Sequence, residues 1–165
     1  MKNREKELLF QLLKNSKSSD REIAKKLKTS QSTITRNRHR LERKIITHYT
    51  AVPRLDKLGI KLIAVTFGRC INQGKEAKDK MHIFRNNSPN IVFSGHGEGL
   101  GKTLIIISFH NDFSDYTTFM NGLRQTSVNC YEGLESFFVP TDAFAATLNF
   151  SKAVEYLINK NNNSG

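Results

Sequence analysis

The sequence has no tryptophan, only two cysteines and no long hydrophobic run. Two cysteines in 165 residues exclude a scaffold built on disulfides and are typical of a reduced, intracellular protein. The first seven residues are almost all polar, and Gln11 and Lys14 interrupt the apolar residues that follow, so no secretory signal is predicted. No apolar run approaches the length of a membrane span. We therefore expect a cytoplasmic protein.

The charge is strongly basic and unevenly distributed. The chain has 26 Lys and Arg against 15 Asp and Glu, a net charge of +11. Residues 1–60 hold 16 basic and 6 acidic residues, a balance of +10, whereas residues 61–165 hold 10 and 9, a balance of +1. The first part is expected to meet a polyanion, with nucleic acid the first choice and an anionic membrane surface the second.

The basic part has the pattern of three short helices. The leucines of segment 8–13 form one stripe of a first helix. Ser19 and Glu22 have the spacing of a capping box that opens a second helix at residue 20. Ser30 is the expected N-cap of a third helix over about residues 31–44. The second and third helices, joined by a short turn, predict a helix-turn-helix whose last helix can lie in the major groove.

The third helix carries the candidate DNA-binding residues. Short hydroxyl and amide groups at its start can approach base edges and phosphates, and arginines further along can bind guanine or phosphate with two hydrogen bonds. Arg36 and Arg40 are the strongest candidates. The full set is Gln31, Ser32, Thr33, Thr35, Arg36, Arg38, His39, Arg40 and Arg43. The alternative is a solvated basic helix, but the caps, the turn and the regional charge together favour double-stranded DNA.

Residues 45–52 are rich in β-branched side chains and are followed by Pro53, a pattern that predicts a strand or wing. We therefore assign residues 1–52 to a winged helix-turn-helix domain and residues 53–60 to a linker.

Several residues of this first part occur in the order and spacing of a known family. They are Glu22-Ile23-Ala24-x-x-Leu27, Ser30-x-x-x-Ile34-x-Arg36, Arg40-Leu41-Glu42, Ile46-x-x-Tyr49-x-Ala51 and Leu58-Gly59. On these residues, the first 70 positions resemble the Lrp/AsnC (leucine-responsive and asparagine-operon regulator) family of bacterial and archaeal transcription factors. The resemblance implies a DNA-binding regulator.

The sequence departs from that family at three places. Arg38 stands where an aliphatic core residue is usual, Lys28 stands where a glycine is common, and no glycine separates Lys44 from Ile45. An arginine at a half-buried site can extend along its methylenes towards solvent or a phosphate.

The near-neutral part alternates between strand and helix periods. Strands are predicted over residues 61–69, 91–95, 103–109 and 135–140, helices over 75–86 and 113–124, and a glycine-rich turn over 95–102. The order βαββαβ predicts an α+β, ferredoxin-like domain over residues 61–140. The resemblance implies that this domain dimerises and binds a small-molecule effector.

The strand around residues 104–107 is apolar on both faces, although two helices cover only one face of a four-stranded sheet. We expect the other face to be buried against another subunit, which gives a homodimer or a larger homo-oligomer. This assembly agrees with the resemblance, and a two-fold dimer could read two DNA half-sites.

The segment 95–103 looks like a phosphate-binding loop but lacks what that loop requires. His96 stands where a glycine is needed, and a β-branched segment follows where a helix is needed. An RNA-recognition module is also excluded, since the third strand lacks stacking aromatics.

The resemblance implies a Gly-x-x-Asp motif that binds effector amino acids. Gly95 and Glu98 are the near match and the candidate effector-binding residues.

No arrangement of residues indicates a metal site, a cofactor or an enzyme. The histidines lack ligand spacing, and no Ser-His-Asp or paired-carboxylate pattern is present. Cys70 and Cys130 are expected to lie close together, at the end of the first strand and the start of the fourth, and to stay reduced.

Residues 141–160 are predicted as an extension with a short helix that packs on a partner or on the wing, and residues 161–165 as a disordered tail.

As a whole, the sequence predicts a cytoplasmic, oligomeric transcription regulator without a membrane partner. The alternatives are a small-ligand sensor or metabolic enzyme with a vestigial helix-turn-helix, and an architectural protein that coats DNA without sequence preference.

Overall fold

The computed structural model describes residues 2–72, 74–142 and 150–162, and the chain divides into two compact units. The first unit combines segments 1–52 and 146–165, and the second is segment 53–145. Within these described ranges, no helix has both the length and the apolar character needed to cross a bilayer.

The first unit is helical. Its elements are α1 (Asn3–Lys14), α2 (Asp20–Lys26), α3 (Gln31–Lys44) and α6 (Phe150–Asn162). Apolar side chains of the first three helices form one buried core, which consists of Leu8, Leu9, Leu12, Ile23, Ala24, Ile34 and Leu41. The leucine stripe of α1 thus faces the other helices, as its spacing predicts.

The side chains predicted as helix caps make the expected hydrogen bonds. Ser19 Oγ accepts from the Glu22 amide at 3.2 Å, and Glu22 Oε2 accepts from the Ser19 amide at 2.8 Å. The hydrogen bond from the Ser19 backbone lowers the pKa of Glu22. Ser30 Oγ accepts from the Thr33 amide at 3.2 Å. The predicted starts of α2 and α3 are therefore confirmed.

The predicted wing is wrong. Residues 46–54 form no strand, because a strand needs a neighbour for its backbone hydrogen bonds and none of the described strands pairs with this segment. The segment is held by a side chain instead, since the Tyr49 hydroxyl donates to Glu42 Oε1 at 3.0 Å.

The C-terminal helix packs on the first unit, whereas the sequence predicts that it packs on a wing or a partner. Val154 and Ile158 contact the apolar core of the first unit, and Lys14 Nζ lies 3.6 Å from Glu155 Oε2. The helix continues to Asn162, two residues into the tail that the sequence predicts as disordered. Residues 163–165 lie outside the described residues.

The second unit is a four-stranded antiparallel sheet with two helices. Its elements are β1 (Leu62–Cys70), α4 (Lys75–Asn87), β2 (Ile91–Gly99), β3 (Lys102–His110), α5 (Phe113–Thr126) and β4 (Tyr131–Pro140). The strands lie in the order β2-β3-β1-β4, with β1 between β3 and β4. This α+β arrangement confirms the predicted βαββαβ topology.

Both helices of the second unit cover the same face of its sheet. Ala64, Leu104 and Ile106 of the strands pack there against the apolar faces of α4 and α5. His110 is buried in the same layer, where its ring meets Tyr116 edge to face. Burial lowers the pKa of His110, although the nearby Asp115 carboxylate acts in the opposite direction. The imidazole therefore packs as a neutral group at neutral pH.

The predicted glycine-rich turn is much shorter than expected. Residues 95–99 continue β2 and pair with β3, and the chain reverses at Leu100 and Gly101. Those two residues have φ of 54° and 68°, as in a two-residue hairpin of type I′. The glycines before the turn have no positive φ and simply extend the strand.

The two cysteines lie on neighbouring segments of the chain: Cys70 pairs with Tyr131, the residue after Cys130. The amide of Ile71, which follows Cys70, donates to the Cys130 carbonyl at 3.0 Å. Both thiols are free, and Cys130 is buried.

Lys28 closes α2 in a left-handed conformation. Its φ is 49°, and the Thr29 amide donates to the Ala24 carbonyl at 3.0 Å, the pattern of a helix terminus that usually carries glycine. We expect Lys28→Gly to raise the free energy of unfolding by about 0.5–1 kcal/mol, because relief of the left-handed strain exceeds the entropy gained by the unfolded chain. Urea denaturation followed by circular dichroism would measure it.

The matched control is Lys26→Gly, two residues earlier at the last helical position of α2, where φ is not positive. This variant loses the same charge and should be destabilised by up to about 1 kcal/mol. A Lys28→Gly protein destabilised as much as the control would contradict the interpretation.

Candidate nucleic-acid interface

The third helix has one buried face and one exposed face. Ile34, Asn37 and Leu41 are buried against the rest of the first unit. The exposed face, which we call the α3 stripe, consists of Gln31, Ser32, Arg36, His39 and Arg43. From Ser32 onwards these residues follow the i, i+4, i+7, i+11 spacing of one helix face. The stripe contains no acidic residue, so it presents hydroxyl, amide and basic groups together.

Arg36 is the residue of the stripe that is most available for an external partner. Within the part of the chain that the structure describes, its side chain makes no hydrogen bond or ion pair. A guanidinium has five N–H donors in a planar fork, which matches the edge of guanine or a phosphate. Arg36 can thus bind such an acceptor without breaking an internal contact.

Three other residues of the stripe make weak internal contacts. His39 Nδ1 lies 3.3 Å from Glu42 Oε2, and Arg43 Nε donates to the His39 carbonyl at 3.4 Å. Ser32 Oγ lies 3.1 Å from the hydroxyl of Ser30. Because all these groups are exposed, an approaching ligand can replace the contacts at little cost.

Glu42 links the end of α3 to the segment that follows. It receives the hydrogen bond of the Tyr49 hydroxyl, and burial together with this bond raises the pKa of Tyr49. The phenol therefore stays a donor at neutral pH and holds the chain beside the last turn of α3.

Two of the predicted DNA-contacting residues are bound to a carboxylate of α2. Thr35 Oγ1 donates to Asp20 Oδ2 at 2.6 Å, and Arg38 Nε donates to Asp20 Oδ1 at 2.6 Å. Arg38 Nη2 also donates to the Ser18 carbonyl at 2.8 Å. The side chains of Arg38 and Asp20 are only 16% and 18% exposed. Arg38 therefore points along α2 and connects the two helices.

Arg40 is bound to α1. Its Nε forms an ion pair with Glu5 Oε1, and its Nη2 donates to Asn37 Oδ1 at 3.0 Å. The Glu5 side chain is 9% exposed, and its other oxygen accepts the Lys2 amide at 2.8 Å. Arg40, one of the two strongest candidates in the sequence, thus lies in an internal ion pair between α3 and α1.

Thr33 is part of the cap of α3. Its hydroxyl lies 2.7 Å from Ser30 Oγ, and the side chain is half-buried. The structure therefore divides the predicted set: five residues form the α3 stripe, and Thr33, Thr35, Arg38 and Arg40 make contacts inside the first unit.

The second unit contains a cleft of about 720 Å³ between α4 and the sheet. Its walls carry Lys78 and Arg85 from α4, Glu98 and His96 from β2, and Tyr131 from β4. Groups of both charge signs therefore face one space. Among the described residues, no cluster of His, Cys, Asp and Glu is placed to hold a metal ion.

The two predicted effector-binding residues do not lie together. Glu98 lines the cleft, but Gly95 does not. A Cβ at Gly95 would lie 3.2 Å from Phe93 Cζ and 3.7 Å from Ile105 Cγ2, on the other side of the sheet.

Residues missed by the sequence analysis include Tyr131. Its ring stacks on the His96 ring, with 6.2 Å between the ring centroids and 21° between the ring planes. Burial, then the neighbouring Cys70 thiol, raises the pKa of Tyr131.

The outer face of the sheet, opposite α4 and α5, is apolar. By register, Val65 of β1 pairs with Ile107 of β3 on one side and with Phe137 of β4 on the other. Phe93 of β2 pairs with Ile107, which extends this face across all four strands. Phe137 and Phe93 are 66% and 52% exposed. Two phenylalanines at this exposure in one continuous apolar face are typical of a surface that another molecule covers.

No family model matches the sequence. No curated protein matches it either.

Three solved structures illustrate the similarity in fold. A transcriptional regulator of Neisseria meningitidis in complex with L-methionine aligns with a TM-score of 0.79 and 17% identity, covering 92% of this chain and 95% of that one. An AsnC family transcriptional regulator of Agrobacterium tumefaciens gives 0.74 and 16%, covering 91% and 94%. LrpC of B. subtilis gives 0.71 and 20%, covering 91% and 98%.

These alignments span nearly the whole chain, although four of five residues differ. Similarity at this identity is carried by the backbone, so it concerns shape and leaves function to the side chains. The chain therefore has the fold of Lrp/AsnC-type transcription regulators.

Proposed function

We propose that this protein is a DNA-binding transcription regulator of the Lrp/AsnC type and has no enzymatic activity. In this proposal α2 and α3 form a helix-turn-helix, and the α3 stripe enters the major groove of duplex DNA. The observation that carries the proposal is the stripe itself, because it is exposed, free of acidic residues and located in the basic part of the chain. The fold shared with transcription regulators supports it.

The chemistry of the stripe suggests a role for each residue. Gln31 and Ser32 lie at the start of α3, where short side chains come close to base edges and phosphates. Arg36, one turn further on, can bind guanine O6 and N7 with two hydrogen bonds. His39 and Arg43 continue the face towards the backbone of the DNA. Thr35, Arg38 and Arg40 act indirectly, because their internal contacts hold the helix that carries the stripe.

The experiment that tests this function is selection of duplexes from a random pool by the full-length protein, followed by footprinting and by affinity measurements at several salt concentrations. We expect an enriched sequence that binds more tightly than random DNA and an affinity that falls as salt rises. Equal affinity for random and selected duplexes would indicate an architectural protein. No binding to either would indicate a sensor with a vestigial helix-turn-helix.

Arg36 is the residue whose removal should most directly weaken specific binding. We expect Arg36→Ala to cost about 1–3 kcal/mol of affinity for the selected duplex and to leave folding intact, since the side chain is exposed. Titration of labelled duplex would measure this cost, and circular dichroism would check the fold.

The matched control is Arg124→Ala, which removes the same charge from an exposed position of α5. Its affinity should equal that of the unaltered protein. If Arg36→Ala and Arg124→Ala bind equally well, the assignment of the stripe is wrong.

We also propose that two copies associate through the outer face of the sheet. A two-fold interface brings the same patch of both copies together, which suits a continuous apolar face. The proposed dimer places two copies of α3 on one DNA molecule, and two half-sites raise both affinity and specificity.

Phe137→Glu should abolish this association. The variant removes an apolar side chain worth about 1.5–3 kcal/mol of burial from each copy and places two carboxylates in one interface. Analytical ultracentrifugation should then show monomer where the unaltered protein is dimeric. Val128→Glu, which alters an exposed valine outside this face, should remain dimeric. Dimers that persist in the Phe137 variant would exclude this face as the interface.

The cleft of the second unit is proposed as the effector site, with an α-amino acid as its ligand. The Glu98 carboxylate would accept the ammonium group, and Lys78 or Arg85 would bind the carboxylate. The buried side chain of Met81 adds an apolar wall for the rest of the ligand. The complex of a structurally similar regulator with L-methionine makes this amino acid the first probe.

Glu98→Gln should weaken L-methionine binding about tenfold or more, because a charge-assisted hydrogen bond is lost. Isothermal titration calorimetry would measure this loss. Glu132→Gln, outside the cleft, serves as the protein control, and N-acetyl-L-methionine, which lacks the ammonium group, as the ligand control. Equal binding of methionine and its acetyl derivative would rule out the proposed role of Glu98.

A further inference from the structure

Asp20 lies at the centre of a small polar cluster between α2 and α3. We infer that this aspartate lowers the affinity of the protein for random DNA by keeping Arg38 and Thr35 away from the DNA, and that it raises DNA specificity by holding α3 at a fixed angle to α2. The inference rests on the proposed function and deepens it. It assigns Asp20 as a positioning residue, since the carboxylate itself would not touch the DNA.

Both oxygens of the carboxylate are occupied by α3. One accepts from Arg38 Nε and the other from the Thr35 hydroxyl, each at 2.6 Å. Arg38 is further secured by its 2.8 Å hydrogen bond to the Ser18 carbonyl. Asp20 is the first residue of α2, where the positive end of the helix dipole stabilises its charge. The cluster therefore joins the start of α2 to the middle of α3.

The two residues that Asp20 binds are neighbours of the α3 stripe. Thr35 lies three residues after Ser32 and four before His39, which makes it adjacent to both on the helix surface. Arg38 lies three residues after Thr35, and an arginine side chain without a partner extends towards an acceptor such as a phosphate. Without Asp20, Arg38 loses its carboxylate partner and keeps the neutral Ser18 carbonyl, while the Thr35 hydroxyl keeps the Gln31 carbonyl as an acceptor. The Arg38 cation is then much less restrained beside the α3 stripe.

A free Arg38 would strengthen binding to any sequence. A contact between arginine and phosphate adds affinity that carries no sequence information, and each such contact steepens the dependence of log K on log salt by about 0.9. The ion pair with Asp20 removes that contribution from both specific and random DNA. An equal loss on both kinds of DNA lowers the affinity for random sequences but leaves the ratio of the two affinities, which is the specificity, unchanged. The specificity therefore depends on a second effect of the ion pair, the fixed orientation of α3.

The ion pair also fixes the angle between the two helices. Arg38 and Asp20 are 16% and 18% exposed, and separating them would leave charged groups with incomplete hydration. With α3 held to α2, the stripe meets the groove in one orientation. A recognition helix held in one orientation discriminates better among base sequences than a helix that can tilt in the groove.

The test compares four full-length proteins on the selected duplex and on random duplexes over a range of salt. Asp20→Ala should bind random DNA several-fold more tightly, with a log–log salt slope steeper by about 1, and should lose specificity. Arg38→Met should keep the slope of the unaltered protein. The double variant Asp20→Ala/Arg38→Met should return to that slope, because the released cation is gone.

Two further variants separate this effect from loss of charge or fold. Glu7→Ala removes an exposed carboxylate of the same unit that has no arginine partner in the described residues, and its slope should not change. Asp20→Asn keeps the shape of the side chain, so it gives the same readout if Asp20→Ala is poorly folded. Thermal denaturation identifies any variant whose weaker binding comes from unfolding.

Three results would overturn the inference. The first is an Asp20→Ala protein with unchanged slope and specificity, and the second is a double variant that keeps the steeper slope, since the effect would then come from the lost carboxylate alone. The third is an Arg38→Met protein with a slope shallower by about 1, because Arg38 would then contact phosphate directly. Failure of the unaltered protein to bind any duplex would instead overturn the proposed function, and the inference with it.

Discussion

The first unit depends on the ion pairs that two arginines of α3 make with carboxylates of α1 and α2. Arg40 binds Glu5, and Arg38 binds Asp20. Both carboxylates lie in the first turn of their helix, where the dipole favours a negative charge. Arg38, Asp20 and Glu5 are largely shielded from water, so loss of the partner arginine or carboxylate would leave a poorly solvated charge. Together with the buried side chains of α3, these contacts fix which face of the helix remains outside, and the functional proposals for this helix rest on that face.

The local features of the fold could be predicted from the sequence, but the partners of its charged residues could not. Capping boxes and apolar spacing act within four residues, so the starts of α2 and α3 follow directly from Ser19 and Ser30. Asp20 and Arg38 are 18 residues apart, and no local pattern links them. An arginine on a helix has the same signature whether its partner is a carboxylate or a phosphate. For this reason the sequence favoured Arg40 as a DNA contact, although it binds Glu5.

The two segments whose secondary structure differs from the prediction have a related cause. The β-branched segment after α3 has strand propensity but no neighbouring strand, and propensity alone does not satisfy backbone hydrogen bonds. The second unit shows the opposite case, a segment of low strand propensity that does form a strand. Its residues 95–99 are rich in glycine but pair with β3. In both cases tertiary pairing overrode local preference. The topology was predictable all the same, because the alternation of helix and strand periods does not depend on single residues.

The packing of α6 on α1 has a consequence for the order in which the protein is made. Val154 and Ile158 complete the core that Leu8 and Leu12 begin, but they leave the ribosome only after the whole sheet domain has been synthesised. Until α6 is synthesised, the three N-terminal helices therefore have part of their apolar surface exposed to water, while the second unit can already fold. During that interval the basic helices can already form, but their core is finished only when α6 packs on it. Completion of the first unit thus follows synthesis of the second unit, although the first unit begins earlier in the chain.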